Sequence, residues 1–216
     1  MPDFIPYTRH QLEVALALLQ EAIYTVVAPL EIQAWRTQEP VPYARRTEGE
    51  SLSLKVGESW GKLFDCAWFR FTGQVPAQAA GFPVVLLLDV SGEMCVFDEQ
   101  GEPLRGLTNV ASDYDYSLGR PGKHVLPLLT CARGEEPVEV WADAGCNDLF
   151  GRVRNNGAIQ EAYVAVCNEE VRRLFYDYEV LLDSLSALPP ASARHQQILV
   201  GLNDAVHLLW SGMSPE

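Results

Sequence analysis

Residues Gly57–Leu107 read GESWGKLFDCAWFRFTGQVPAQAAGFPVVLLLDVSGEMCVFDEQGEPLRGL. Three strand-like runs sit in this stretch, each closed by turn residues. Cys66 to Val75 alternates, with Phe69, Phe71 and Val75 on one side and Trp68, Arg70 and Gln74 on the other. Pro83 to Val90 is apolar without alternation through Val84, Val85, Leu86, Leu87 and Leu88. A strand apolar on both sides has to be covered on both sides. Ser91-Gly92 turns the chain into Met94, Cys95, Val96 and Phe97, and Asp98 to Gly101 makes the next turn. The stretch is expected to be the middle of an antiparallel sandwich, with a helix over its outer face.

Upstream, Thr8 and Gln11 have the spacing of a capping box. Leu12, Ala15, Leu16, Leu19, Ala22, Ile23 and Val26 follow at helical spacing, and Pro29 stops the pattern. Residues 1–30 are therefore expected to be an N-terminal helix. Its stripe needs a partner, either the doubly apolar strand near Val85 or the helical tail. From Glu31 to Lys55, Pro40 and Pro42 break the pattern, and Leu52, Leu54 and Val56 alternate; short edge strands are expected here. Glu58-Ser59-Trp60-Gly61 reads as a loop. Trp60 is by type and position a candidate for stacking on the C–H face of a sugar; the competing reading is a large apolar plug under that loop.

Downstream, Asn109 to Asp113 reads as a loop, and Tyr114, Tyr116 and Leu118 alternate with Asp115 and Ser117. Tyr114 and Tyr116 join Trp60 as candidate sugar-contacting residues. Arg120-Pro121-Gly122 is a turn, His124 to Leu129 and Pro137 to Ala142 are strands, and Ala158 to Cys167 is a final apolar strand. About nine short strands with turns ~8–12 residues apart make residues 31–167 a sandwich of jelly-roll type. At Asn168 the period changes. Asn168 is a good N-cap, with Glu169 and Glu170 in the first turn. Val171, Leu174, Phe175, Tyr178, Leu181, Leu182 and Leu185 form one face, Pro189-Pro190 stops it, and Ser192 caps a second helix faced by Ile198, Leu199, Leu202, Ala205, Val206 and Leu209. Residues 168–216 are expected to form a helical hairpin. Val200, Leu208 and Trp210 fall off its main stripe and predict an exposed apolar patch, or self-association that hides it.

The order Trp60-Gly61, Trp68-Phe69-Arg70, Val75-Pro76, an apolar strand ending in Asp89, Gly92-Glu93 and Gly101-Glu102-Pro103-Leu104-Arg105-Gly106-Leu107 resembles the N-terminal β-sandwich of class II α-mannosidases, glycoside hydrolase family 38. The likeness continues through Leu149-Phe150-Gly151, Cys167-Asn168-Glu169-Glu170, Asp177 to Leu182 and Leu202 to Val206. Trp-Phe-Arg followed by Val-Pro also occurs in the sugar-binding-like sandwiches of β-galactosidases. The resemblance implies a mainly β fold with helices: an antiparallel jelly-roll-like sandwich, similar to galactose-binding domains, with an N-terminal helix and a C-terminal helical hairpin.

The chain has 216 residues, 48% hydrophobic and 21% charged, and a net charge of −13. That charge argues against a nucleic-acid partner and against anionic membrane surfaces. The five cysteines, Cys66, Cys95, Cys131, Cys146 and Cys167, are widely spaced without a C-x-x-C pair and read as reduced thiols packed as small hydrophobes. The start has no basic region followed by an apolar core, no apolar run approaches a membrane span, and no Asn-x-Ser/Thr sequon occurs. A reducing cytoplasm is the expected location.

Carboxylates are plentiful: Asp143 and Asp148 flank Gly145, and Asp113 and Asp115 share a loop edge. A retaining glycosidase pair needs carboxyls ~5–5.5 Å apart, which spacing along a chain does not supply. His10, His124, His195 and His207 belong to no zinc-binding arrangement, and no nucleophile elbow, phosphate loop or dinucleotide fingerprint occurs. The resemblance implies a parent enzyme that is a retaining hydrolase, with a zinc ion held in part by a His-x-Asp pair that opens the catalytic domain. This sequence contains no such pair, so no catalytic or metal-binding residue and no cofactor is assigned to it. The expected partner is the catalytic domain of the same polypeptide, with self-association or carbohydrate as further partners. Two other readings compete: a sugar-binding module of another glycoside hydrolase, favoured by exposed aromatics clustered on a rim, and a structural interaction domain without ligand, favoured by wholly buried aromatics.

Overall fold

The computed structural model describes residues 9–108, 123–147 and 157–212, the last three of these as helix backbone. They fall into two compact units, a sandwich over residues 26–166 and a helical unit made of residues 9–25 and 167–212.

In the helical unit, α1 (Arg9–Glu21) packs against α2 (Glu169–Ala187) and α3 (Ala193–Gly212). The buried stripe of α1 is Leu12, Ala15 and Leu19. The expected continuation of this helix to Val26 is corrected: the helix ends at Glu21 and Tyr24–Pro29 is strand β1. Thr25, Val26 and Val27 are β-branched in succession, which favours extended backbone over a helical turn. The Asn168 side chain accepts the Val171 N–H at 3.2 Å, and Ser192 Oγ accepts that of His195 at 3.2 Å, so both expected caps form. Phe175, Tyr178, Leu182 and Leu185 are the buried face of α2. Burial without a hydrogen bond pushes the Tyr178 hydroxyl up to about 12. On α3, Leu202 and Val206 are buried beside Asn203, whose Nδ2 donates to the Leu199 carbonyl at 2.7 Å.

The sandwich contains β2 (Glu31–Thr37), β3 (Glu50–Leu54), β4 (Ser59–Gly61), β5 (Cys66–Gln74), β6 (Val84–Asp89), β7 (Glu93–Phe97), β8 (Pro103–Thr108), β9 (Val125–Leu129), β10 (Pro137–Gly145), β11 (Gly157–Ala158) and β12 (Glu161–Cys167). One sheet runs β3-β2-β5-β10-β7-β8 and the other β1-β12-β6-β9; β4 and β11 pair in a two-stranded ribbon. The chain crosses between these sheets from β1 to β2, β5 to β6, β6 to β7, β8 to β9 and β9 to β10, while β2–β3 and β7–β8 are hairpins inside the six-stranded sheet, a jelly-roll-like order. Two expectations change. β2 is interior, paired on one side to β3 and on the other to β5, where an edge had been expected; its inward Ile32 and Ala34 are buried. Ser59 to Gly61 is a strand, not a loop. The expected strand over Tyr114 to Leu118 lies outside the described residues.

The expected alternation of β5 holds. Phe69, Phe71 and Val75 are wholly buried between the sheets with Ile32 and Ala34 of β2, Val138, Val140 and Ala142 of β10, and Leu86, Leu88 and Val164 of the opposite sheet. On the other side of β6, Val85 is 7% and Leu87 5% exposed, so this strand is covered on both faces. Trp60 closes one end of the core. Its ring meets Phe69 edge-on at 5.2 Å and its Nε1 donates to the Val90 carbonyl at 2.7 Å. Gly157 faces the same ring, and a Cβ there would lie 2.5 Å from it.

At the edge of the four-stranded sheet, His124 Nδ1 hydrogen-bonds Glu161, spanning the end of β6 from the start of β9 to β12. That bond holds the imidazole above the usual histidine range, against burial and with support from Glu161 and Asp89 charge.

Two outcomes follow from this packing. Phe71→Ala removes a wholly buried ring and is expected to cost about 3–5 kcal/mol in denaturant titration, whereas a loss under ~1 kcal/mol contradicts the assigned register. For His124, whose folded value is raised, the stabilisation is full below the unfolded value near ~6.5 and is lost as pH rises through the folded value. The stability difference between this protein and its His124→Gln variant is therefore expected to be larger near pH 5.5 than near pH 9 in urea titrations; equal differences at both pH values refute the coupling.

Candidate functional site

The outward face of the six-stranded sheet carries the chemistry that this fold exposes. Register sets it out in rows. Ser51, Trp35, Trp68, Asp143 and Cys95 lie side by side across β3, β2, β5, β10 and β7. The next row is Ser53, Gln33, Arg70, Trp141 and Phe97. The segment between β2 and β3 crosses this face as a strap. Trp68 Nε1 donates to the Val41 carbonyl at 2.8 Å, and Trp68 packs on Phe97 and on Tyr43 with ring centroids 4.9 Å and 5.6 Å away. Tyr43 also stacks on Phe97, at 6.0 Å. Gly101, at φ +84°, lets the β7–β8 turn pass this ring; a Cβ there would lie 2.6 Å from Tyr43. Arg46 returns over the Tyr43 ring at 4.0 Å and the Trp141 ring at 4.6 Å.

Beside the returning limb, Trp35 and Trp141 stack with centroids 5.3 Å apart and planes 22° apart, both half-buried. Trp141 Nε1 donates to one Glu139 oxygen at 3.0 Å and Arg70 donates to the other at 2.7 Å. The Arg70 hydrogen bond holds the Glu139 carboxyl below its usual range. Under the outgoing limb lies a cleft of about 130 Å³ walled by Thr37, Pro40, Val41, Cys66, Trp68 and Asp143. Burial raises the Asp143 carboxyl, against hydrogen bonds from the backbone N–H groups of Cys95 and Asp143. Burial also pushes up the Cys66 and Cys95 thiols, as does the nearby Asp143 charge. These are neutral thiols, poor nucleophiles.

Of the residues singled out from sequence, Trp60 is 0% exposed, so it has no ring face to offer a sugar and acts as the plug. Tyr114, Tyr116, Asp113, Asp115 and Asp148 lie outside the described residues. Among the described residues no three His, Cys, Asp or Glu side chains gather as metal ligands would. Sequence reading missed the Trp35–Trp141 pair. The signal was present for Trp141, which shares an outward face with Glu139 and Asp143, where an antiparallel sandwich places polar residues.

Residues 28–172 match the family model described as "Alpha-mannosidase, jelly roll domain". The chain is similar to Alpha-mannosidase 2C1 of Mus musculus, with 26% identity over 187 residues, 82% of this chain and 17% of that protein. The Homo sapiens protein of the same name gives the same identity and coverage. Alpha-mannosidase G of Dictyostelium discoideum is 23% identical over 180 residues, 78% of this chain and 16% of that protein. The chain thus spans about a sixth of the length of the curated relatives it matches. The family match runs over every described strand from β2 to β12, the two sheets have a jelly-roll-like strand order, and the chain belongs to the family of α-mannosidase jelly-roll domains.

Proposed function

We propose that this chain is the non-catalytic N-terminal sandwich and helical linker of an α-mannosidase, a retaining zinc-dependent glycoside hydrolase acting on α-mannosides. Its catalytic domain belongs to the same polypeptide but not to this chain. The family match over residues 28–172 carries this reading, together with relatives named as α-mannosidases and about six times longer than the matched span. The zinc and the retaining chemistry come from the resemblance to glycoside hydrolase family 38. The role of this chain is to hold the catalytic domain, in the cytoplasm; its five free thiols suit a reducing compartment.

The helical unit offers the surface for that contact. Val180 is 64%, Val200 49% and Leu208 71% exposed. Val200 and Leu208 lie about two turns apart on α3, and a contiguous patch of apolar side chains left in water marks a partner surface. The occupant is the catalytic domain.

The isolated chain, given an aryl α-mannoside and zinc, is expected to show no turnover. Turnover that survives purification controls, and vanishes when a carboxylate of this chain is replaced, would sink the reading. The double variant Val180→Asp, Leu208→Asp is expected to change the stability of the isolated chain by under ~0.5 kcal/mol each, as for exposed positions. In the full-length enzyme the same changes are expected to raise hydrogen exchange in α2 and α3. Unchanged exchange there refutes the docking surface.

A further inference from the structure

We propose that the Trp35–Trp141 pair, with Arg70, Glu139 and Gln33 around it, is a non-catalytic binding platform for a mannose-containing oligosaccharide on the outer face of the six-stranded sheet. The ligand class rests on the family reading above; the platform itself rests on geometry.

The contrast among the tryptophans carries the argument. Trp60 is 0% and Trp68 3% exposed, and each gives its indole N–H to a backbone carbonyl, Val90 and Val41 respectively. Those are structural anchors, buried with their polar tip satisfied. Trp35 and Trp141 are only half-buried, on a sheet face where polar side chains are the rule. Trp141 gives its N–H to the Glu139 side chain, itself half in water, and so sets the direction of that carboxylate. Trp35 Nε1 has no hydrogen-bond partner among the described residues.

These features match a sugar. A pyranose presents a flat C–H face, which packs on an indole, and a rim of hydroxyls, which need both donors and acceptors beside that face. Trp141 is spent on stacking against Trp35 and on the guanidinium groups of Arg46 and Arg70, so it backs the half-buried Trp35 ring, which supplies the flat apolar surface. Glu139 supplies an acceptor, Arg70 and Trp35 supply donors, and the exposed Gln33 amide, beside Arg70 in the register, supplies one of each. Arg70 and Arg46 both offset the Glu139 carboxylate, so the spot lacks the negative excess of a chain of net charge −13. Arg46 over the Trp141 ring holds the indole in place before anything binds, so little side-chain freedom is lost on binding.

The test uses the 216-residue chain, with α1,2-linked mannobiose as probe, cellobiose as control, and indole fluorescence and calorimetry as readouts. Saturable binding of mannobiose over cellobiose is expected. Trp35→Ala and Trp141→Ala are each expected to weaken it at least about tenfold, the loss typical of a central anchor. Glu139→Gln, at an exposed position, keeps the fold and is expected to weaken binding severalfold, which guards against a tryptophan variant that fails to fold. Absence of saturable binding, equal affinity for cellobiose, or undiminished binding by Trp35→Ala and Glu139→Gln overturns the platform. None of these results touches the family membership, and hydrolysis by the isolated chain would overturn the non-catalytic reading without moving the effect of the tryptophan variants.

Discussion

The pleat of β5 sends Phe69 and Phe71 to one side and Trp68 and Arg70 to the other, and the sheet around it has to accommodate large side chains on both. A slip of one residue would exchange the two sets and put two phenyl rings under the strap, with an arginine between the sheets. β2 and β10 lock the register from either flank. Ile32, Ala34, Val140 and Ala142 sit level with the phenyl rings, and Trp35, Gln33, Trp141 and Asp143 sit level with the outward set. The inner face becomes the common core. The outer face becomes a second aromatic layer, closed in part by the strap and left half open at Trp35 and Trp141. The candidate binding surface is therefore a by-product of the same alternation that builds the core.

Much of this was legible without coordinates because burial imposes a period. β5, β6 and β7 and the caps of α2 and α3 follow from alternation, from an unbroken apolar run, and from an Asn or Ser placed before a helical stripe. The misreadings came where two signals overlap. Ala22, Ile23 and Val26 continue the spacing of α1, yet the β-branched residues belong to a strand that pairs with β12, a partner well over a hundred residues away and invisible to local pattern. β2 looked like an edge because Pro40 and Pro42 break the pattern just beyond it; its polar Glu31 and Gln33 point outward from an interior strand, and Arg36, on the inward side, reaches the Trp60 carbonyl at the end of the core. The strap was opaque for a similar reason: Pro40, Pro42 and Gly49 signal irregular backbone and carry no message about which sheet face it crosses. Its contacts, Val41 with Trp68 and Tyr43 with Phe97, join residues 27 and 54 positions apart.

The tryptophans show how one residue type is put to different uses by its setting. An indole buries a large area and still carries one donor, so its role turns on where that donor is satisfied. At Trp60 and Trp68 the partner is backbone and the ring is filler. At Trp141 it is a side chain at the water boundary. Trp60 was chosen from sequence because an indole in what looked like a loop suits stacking on a sugar. β11, paired to β4 from about a hundred residues away, makes that segment part of the core wall instead.

The contact between Trp60 and Gly157 restricts how sequences with this fold can vary. The indole occupies the space where any side chain at position 157 would begin, 2.5 Å from the nearest ring atom. A larger residue at 157 requires a smaller one at 60, and a smaller ring at 60 opens a void beside Phe69 that nothing else on the ribbon fills. The two positions therefore behave as a single site of fixed combined volume, divided between strands that meet only after the chain has folded back on itself. Drift at either position is frozen until both can change together.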